Sequence, residues 1–351
     1  MNEILRTRPK FNISLFFFLL QYIAHVMIAF VCLYISLSNN MSPGLAGAAL
    51  MNITLINRTL MNAVRNYVQL ELGFNAVERI EHYTTELPQE DSKSDIKMGN
   101  VVPLNWPMQG TIQFTNFQLR YRQGLPLVLN NINLVIQGGE KIGIVGRTGS
   151  GKSTMALALF RMIEASAGSI EIDGYNILDM SLHTLRSRIS IVPQVPTLFR
   201  GTLRFNLDPH RNCTDDFIWL CLKKCQLKTA IDVIGDGLQA KVDVGGINWS
   251  VGQRQLICLA RALCQRSKVL ILDECSASVD STTDGILQDM IRTEFAKCTV
   301  LTIAHRLETV NHCDKVLVLN EGKVAEFESP EVLRKREGSI FKQMWELSQK
   351  E

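Results

Sequence analysis

The sequence predicts an α/β domain built on a largely parallel sheet, preceded by an all-α hairpin of two membrane spans. Three observations predict it. No Asp, Glu, Lys or Arg stands between Lys10 and Arg58, whereas charge runs throughout the rest of the chain. From Gly110 onward, short β-rich runs alternate with helical stretches, the pattern of a sheet covered by helices. One of those runs leads straight into a glycine-rich loop ending in Lys152-Ser153.

The hairpin comes first. Phe11 to Leu37 reads FNISLFFFLLQYIAHVMIAFVCLYISL, and a run longer than about 18 mostly apolar residues can cross a bilayer as a helix. A signal peptide fits less well, because the apolar region is long and no small-residue cleavage site follows it cleanly. Ser42-Pro43-Gly44 marks a turn, and a second span is expected over residues 44–68. Arg6, Arg8 and Lys10 place the N-terminus in the cytosol, so two spans return the chain there. The second span carries Asn52, Asn57, Arg58, Asn62, Arg65 and Asn66. Arg58 either lines a substrate path or snorkels to the cytosolic interface, and the sequence leaves both open. A cytosolic extension of the helix is expected to about residue 83, giving a membrane part over 1–83. Residues 84–109, polar and carrying three prolines, read as a linker.

The domain over 110–351 has β-rich runs at Thr111–Phe117, Asn133–Ile136, Lys141–Val145, Ile189–Val192, Val269–Leu272 and Thr299–Ile303. Gly146-Arg147-Thr148-Gly149-Ser150-Gly151-Lys152-Ser153 fits the phosphate-loop pattern GxxxxGK[ST]. Glycines let backbone N–H groups converge on phosphates, Lys152 adds charge at the β- and γ-phosphates, and Ser153 is placed for Mg²⁺. The expected nucleotide site therefore comprises Gly146, Thr148, Gly149, Ser150, Gly151, Lys152, Ser153 and Thr154. A second apolar run delivers Asp273-Glu274. Asp273 suits the Mg²⁺ shell, and Glu274 suits deprotonation of the attacking water. A third element, Ser250-Val251-Gly252-Gln253, opens a helix with a hydroxyl and free N–H groups, again an anion site.

Net charge of +3 offers no basic surface for nucleic acid. The nine cysteines show neither a disulfide framework nor zinc spacing and read as reduced thiols.

These elements, in this order, resemble the ATP-binding domain of ABC transporters, with Ser250-Val251-Gly252-Gln253 as the signature. The resemblance implies a P-loop ABC ATPase fold, with a parallel RecA-like core, an antiparallel β part and a helical subdomain. It also implies roles for further residues. Tyr121 would stack on adenine, Gln194 would join the nucleotide site to the membrane part and touch Mg²⁺, Asp280 would cross to the partner domain, and His305 would hold the γ-phosphate. Glu274, His305 and Gln194 are thus the expected catalytic residues. Ser153, Gln194 and Asp273 are the expected Mg²⁺ ligands, with ATP and Mg²⁺ as cofactors.

Thr202–Pro209, Ser250–Leu256 and Val77–Ile80 are similar to the C-terminal domain of the multidrug-resistance-associated, C-type subfamily. Departures stand at Val251, where Gly is usual, at Trp249, where Leu or Phe is usual, and at Ile247, where an acid or amide is common. The resemblance implies export of organic anions or glutathione and drug conjugates. It also implies an integral multi-pass membrane protein with a cytosolic nucleotide domain, in a plasma or vacuolar membrane. A partner would be an N-terminal transporter half with the other nucleotide domain, since alternating access needs about a dozen helices. The alternative is an ATP-gated channel or regulator module of the same family.

Overall fold

The computed structural model describes residues 13–38, 42–87, 90, 102–103, 105–273, 281–304 and 306–349. The chain divides into two compact units, Met1–Glu90 and Asp91–Glu351.

The first unit is a pair of helices packed on each other, α1 (Ile13–Leu37) and α2 (Pro43–Thr85). Pro43 sits at the first position of α2, where its fixed φ suits helix entry and its missing N–H has no partner to lose. The expected second span and its cytosolic extension thus form one continuous helix of 43 residues. Ile53, Asn57, Met61, Val64 and Val68 make its half-buried stripe, while Arg58, Asn62 and Arg65 are exposed. Among the described residues, no helix is long and apolar enough to cross a membrane. The expectation of two spans finds no support in these helices. In α2 the reason is the Asn and Arg residues at every turn from 52 to 66.

The second unit has two principal sheets. Its strands are β1 (Ile112–Leu119), β2 (Leu129–Ile136), β3 (Lys141–Gly146), β4 (Ala167–Ile172), β5 (Tyr175–Asn176), β6 (Ile189–Val192), β7 (Gly201–Thr202), β8 (Lys241–Val242), β9 (Val269–Asp273), β10 (Thr299–Ile303), β11 (Lys315–Asn320) and β12 (Lys323–Glu328). Its helices are α3 (Lys152–Leu159), α4 (Leu182–Arg186), α5 (Leu203–Leu207), α6 (Asp215–Lys224), α7 (Lys228–Ile234), α8 (Val251–Gln265), α9 (Ser281–Thr293), α10 (Pro330–Lys335) and α11 (Ile340–Ser348).

The larger sheet runs β12-β11-β3-β10-β9-β6, parallel throughout except for the edge strand β12. Its central strands are buried on both faces, so they read as continuous apolar runs rather than alternating ones. The smaller sheet, β2-β1-β4-β5, is antiparallel. One core lies where this sheet meets the larger one, built on Ile112, Phe114, Leu129, Ile144 and Met155. A second gathers the helices α5–α8, with Trp249, Leu222, Ile257 and Leu270 at its centre. A third, with Val145, Val318, Leu333 and Phe341, seals the C-terminal helices onto β3 and β11.

Two devices were not expected. The turn joining β4 to β5 places Asp173 at φ 49° and Gly174 at φ 78°, the left-handed pair that a two-residue hairpin needs. The Asp173 carboxylate also accepts four backbone amides, from Met108 (2.7 Å), Gln109 (2.9 Å), Gly110 (3.1 Å) and Thr111 (2.7 Å). Trp106, inside the segment read as linker, is buried at 2% exposure and donates its indole N–H to the Ile172 carbonyl at 2.9 Å. The chain is therefore clamped to the antiparallel sheet several residues before β1 begins.

Candidate nucleotide site

Parallel pairing in register determines what meets at the C-terminal edge of the large sheet. Ile144 of β3 lies opposite Ile303 of β10, Ile303 lies opposite Asp273 of β9, and Leu272 lies opposite Val192 of β6. Four strands therefore end together. Beyond them come the glycine-rich loop after Gly146, Ala304, the end of β9 at Asp273, and Pro193-Gln194. In open α/β sheets this edge is where ligands bind.

The loop's geometry follows from its glycines. Gly146 has φ 155°, and a Cβ there would sit 2.6 Å from Ser150 Oγ and closer still to the Leu319 carbonyl oxygen. Gly151 caps α3 at φ 102°, where a Cβ would stand 2.8 Å from Leu129 Cδ2. Both positions exclude any side chain. The result brings the loop against β11 and opens the N-terminus of α3 directly from it.

Lys152 is 7% exposed, and its ammonium folds back over the loop. It donates to the carbonyls of Gly146 at 2.9 Å and Arg147 at 3.2 Å. Ser150 is buried, and its hydroxyl has no hydrogen-bond partner among the described residues. An unpaired buried hydroxyl is costly and commonly marks a place where a ligand completes the bonding. Ser153 is exposed beside it. Thr154, in the first turn of α3, bonds the Tyr121 hydroxyl at 3.0 Å, which holds this half-exposed ring at the margin of the loop.

Gln194 is exposed in the loop after β6, and its neighbour Pro193 accepts a hydrogen bond from Gln255 Nε2 at 3.4 Å. Gln255 is 1% exposed on α8 and thus ties that helix to the Gln194 loop. The sequence reading assigned Gln255 no role, since an amide within a helical run carries no pattern of its own.

The residues Ser250, Val251, Gly252 and Gln253 open α8. Ser250 Oγ accepts from Gln253 N at 3.1 Å while Gln253 Oε1 accepts from Ser250 N at 2.9 Å, a reciprocal capping box. Ser250 and Val251 are exposed, and Trp249 beneath them is buried at 3%. The large residue at 249 is therefore a core anchor under the turn. Ile247 is 79% exposed, so its apolar character serves no packing within this chain. Glu274, Asp280 and His305 lie outside the described residues.

Ser153, Gln194 and Asp273 supply a hydroxyl, an amide oxygen and a carboxylate. An all-oxygen set of this kind suits a small, hard divalent cation such as Mg²⁺.

Comparison with known proteins gives the same direction from three sides. Residues 129–277 match the ABC transporter family. The chain is 46% identical over 314 residues to ATP-binding cassette sub-family C member 3 of Rattus norvegicus, a match covering 88% of this chain and 20% of that protein. It is 48% identical over 303 residues to ABC transporter C family member 13 of Oryza sativa subsp. indica, covering 86% and 20% respectively. Among solved structures, a bacterial Atm1-family ABC exporter with ATP bound matches at a TM-score of 0.74 and 25% identity, over 93% of this chain and 56% of that one. The chain thus spans about a fifth of the length of these curated relatives.

Proposed function

Because the chain belongs to the C-type branch of the ABC transporter family, with that family's ATPase domain as its α/β unit, we propose that it is the C-terminal part of an ABC exporter. In this reading it couples ATP hydrolysis to export of organic anions or of glutathione and drug conjugates. The observation that carries the proposal is the convergence of four parallel strand ends on a loop whose lysine lies over its own carbonyls.

ATP binding begins with an exchange. The Lys152 ammonium leaves the Gly146 and Arg147 carbonyls for the β- and γ-phosphates. The N–H groups from Gly146 to Thr154, together with the Ser150 hydroxyl, take the remaining phosphate oxygens. Tyr121, held by Thr154, offers its ring to the adenine. Ser153, Gln194 and Asp273 would hold Mg²⁺, which when bound would neutralise charge on the phosphates. Glu274, next in sequence to Asp273, takes the proton of the attacking water, and His305 holds the γ-phosphate.

Ser250 and Gly252 face a second nucleotide domain. They complete its site as its signature completes this one, and Asp280 crosses between the two. That domain and the remaining helices belong to an N-terminal transporter half. The spans proposed for residues 11–37 and 44–68 rest on the apolar run from Phe11 and the absence of charge before Arg58, and with Arg6, Arg8 and Lys10 on the inner side this reading puts the nucleotide domain in the cytosol.

The test has two arms. Purified chain should retain labelled ATP in the presence of magnesium; if it does not, the nucleotide site is wrongly assigned. Inverted vesicles carrying this chain alone should accumulate no fluorescent glutathione conjugate, and should do so once the N-terminal half is supplied. Robust uptake by the chain alone would overturn the half-transporter reading.

A further inference from the structure

A cavity of about 360 Å³ opens at the edge of the large sheet opposite the nucleotide site, where β9 and β10 begin. Pockets for small molecules run from about 300 to 1,000 Å³, so this one suits a body of one or two rings. Leu220 of α6, Leu263 of α8 and Phe295 after α9 supply its apolar wall. Leu220 is 46% exposed, apolar surface that the unit itself leaves uncovered.

The rim carries Lys224, Arg266, Lys268 and Lys297 against a single carboxylate, that of Glu294. Glu294 is already paired with Lys224. Among the described residues, no carboxylate pairs with Arg266, Lys268 or Lys297. Three positive charges thus stand together around an apolar recess, and an anion placed among them relieves their mutual repulsion.

The backbone beneath these charges is tied down. Arg266 and Lys268 flank Ser267, whose buried hydroxyl is hydrogen-bonded to Ser190 Oγ of β6 at 2.6 Å. Cys298, next to Lys297, donates its Sγ–H to the Ser267 carbonyl at 3.2 Å, and the Thr299 N–H donates to the Lys268 carbonyl at 2.8 Å. The Arg266 guanidinium lies 4.0 Å over the Phe217 ring, which steadies its planar fork. Charge held in place in this way loses less freedom on meeting a ligand than charge on loose segments.

We propose that this cavity binds a small amphipathic organic anion, an aromatic body bearing a carboxylate, sulfate or sulfonate group. The ring lies against Leu220, Leu263 and Phe295, and the anionic group meets the Arg266 fork and the two free lysines. Two parallel N–H···O bonds from a guanidinium match such a group in geometry as well as charge. A neutral ring would leave the cations uncompensated, and an inorganic anion would leave the apolar wall wet. A peptide with acidic and aromatic side chains shares this chemistry, but the recess has room for a ring and little for a run of residues. The site lies within the α/β unit and does not depend on the export reading.

Purified full-length chain is photolabelled with an azidonaphthalene sulfonate, digested and mapped by mass spectrometry. Label should fall on peptides from residues 217–224, 263–268 or 293–298, be displaced by excess naphthalene-2-sulfonate, and persist with saturating Mg²⁺-ATP. Neutral naphthalene-2-sulfonamide and inorganic sulfate should each compete at least about ten-fold more weakly. The double variant Lys268→Glu, Lys297→Glu should lose labelling about ten-fold with ATP binding unchanged, which separates this site from the nucleotide assignment. Label that ATP displaces, that scatters over the surface, or that the sulfonamide removes as well as the sulfonate does would overturn the proposal. So would displacement by an acidic aromatic peptide at far lower concentration than the free sulfonate, which would assign the recess to a protein partner. The wild-type label map decides the matter even if the double variant fails to fold.

Discussion

Replacing Lys152 with Ala separates two jobs that this side chain performs in succession. Without nucleotide, its ammonium pins the loop through carbonyl bonds at 2.9 Å and 3.2 Å, in a place that is 93% shielded from solvent. Hydrogen bonds to a charged group contribute about 1.5–3 kcal/mol each at good geometry. The longer one counts for less, and water enters the space left by the shortened side chain. A loss of about 1–2 kcal/mol in the nucleotide-free state is expected, which lowers Tm by roughly 2–6 °C for a domain of this size. With nucleotide, the ammonium trades carbonyl dipoles for anionic phosphate oxygens, and a pair of full opposite charges in a shielded place attracts more strongly than a charge and a dipole. The difference leaves about 2 kcal/mol in favour of binding, so Kd for ATP should rise about 30-fold in the variant. Thermal melting with and without ATP, alongside equilibrium binding of a fluorescent ATP analogue, measures both quantities on one sample. A variant that melts lower yet binds ATP as tightly as wild type would refute the exchange. Lys152 would then be a structural pin alone.

Other substitutions test separate parts of the reading. Glu274→Gln should keep ATP binding while slowing hydrolysis by about 10²–10⁴-fold, as loss of a general base implies; normal phosphate release in a steady-state assay would remove Glu274 from that role. Gly146→Ala forces a Cβ against the Leu319 carbonyl and Ser150 Oγ, so it should cost about 1–3 kcal/mol and abolish measurable ATP binding by titration calorimetry. Ser250→Ala breaks a capping box that is formed in both directions; stability should fall by about 1 kcal/mol in urea melts while ATP binding to this chain's own loop stays unchanged. Asp173→Ala strands four backbone donors and should cost about 2–4 kcal/mol in the same melts, with faster amide exchange at residues 108–111.

What the sequence made legible, and what it hid, divides by whether a feature is local. The phosphate loop could be read because its glycines, at 146, 149 and 151, take backbone angles that favour glycine, and they sit within six residues directly after an apolar strand. The central strands could be read for a similar reason, since burial on both faces leaves an unbroken apolar run. The order in which they pair was not readable. Nothing in Val269–Asp273 says that β10 rather than β6 separates it from β3, yet that order decides which loops meet at the site. The β4–β5 hairpin was missed although Asp173-Gly174 is a strong turn pair, because β5 is two residues long and carries no alternation to flank the turn. The β11–β12 hairpin turns on Glu321-Gly322, both left-handed, and Glu is not a residue that announces such a turn. Trp106 was placed in a linker because prolines surround it; its burial depends on a carbonyl of Ile172, distant in sequence. The same limit applies to function. Ser250 advertises a capped helix through its spacing from Gln253, and the structure gives both side chains to that cap. The Ser250 oxygen accepts from the Gln253 amide, and a hydroxyl that accepts still has its own O–H to donate. A partner phosphate can therefore take that proton without breaking the cap, so closure of two such domains should leave the first turn of α8 intact. Amide exchange at Gln253 in the closed, ATP-loaded complex should then be unchanged or slower than in the isolated chain. Faster exchange there would mean that the phosphate displaces the Gln253 amide from the hydroxyl.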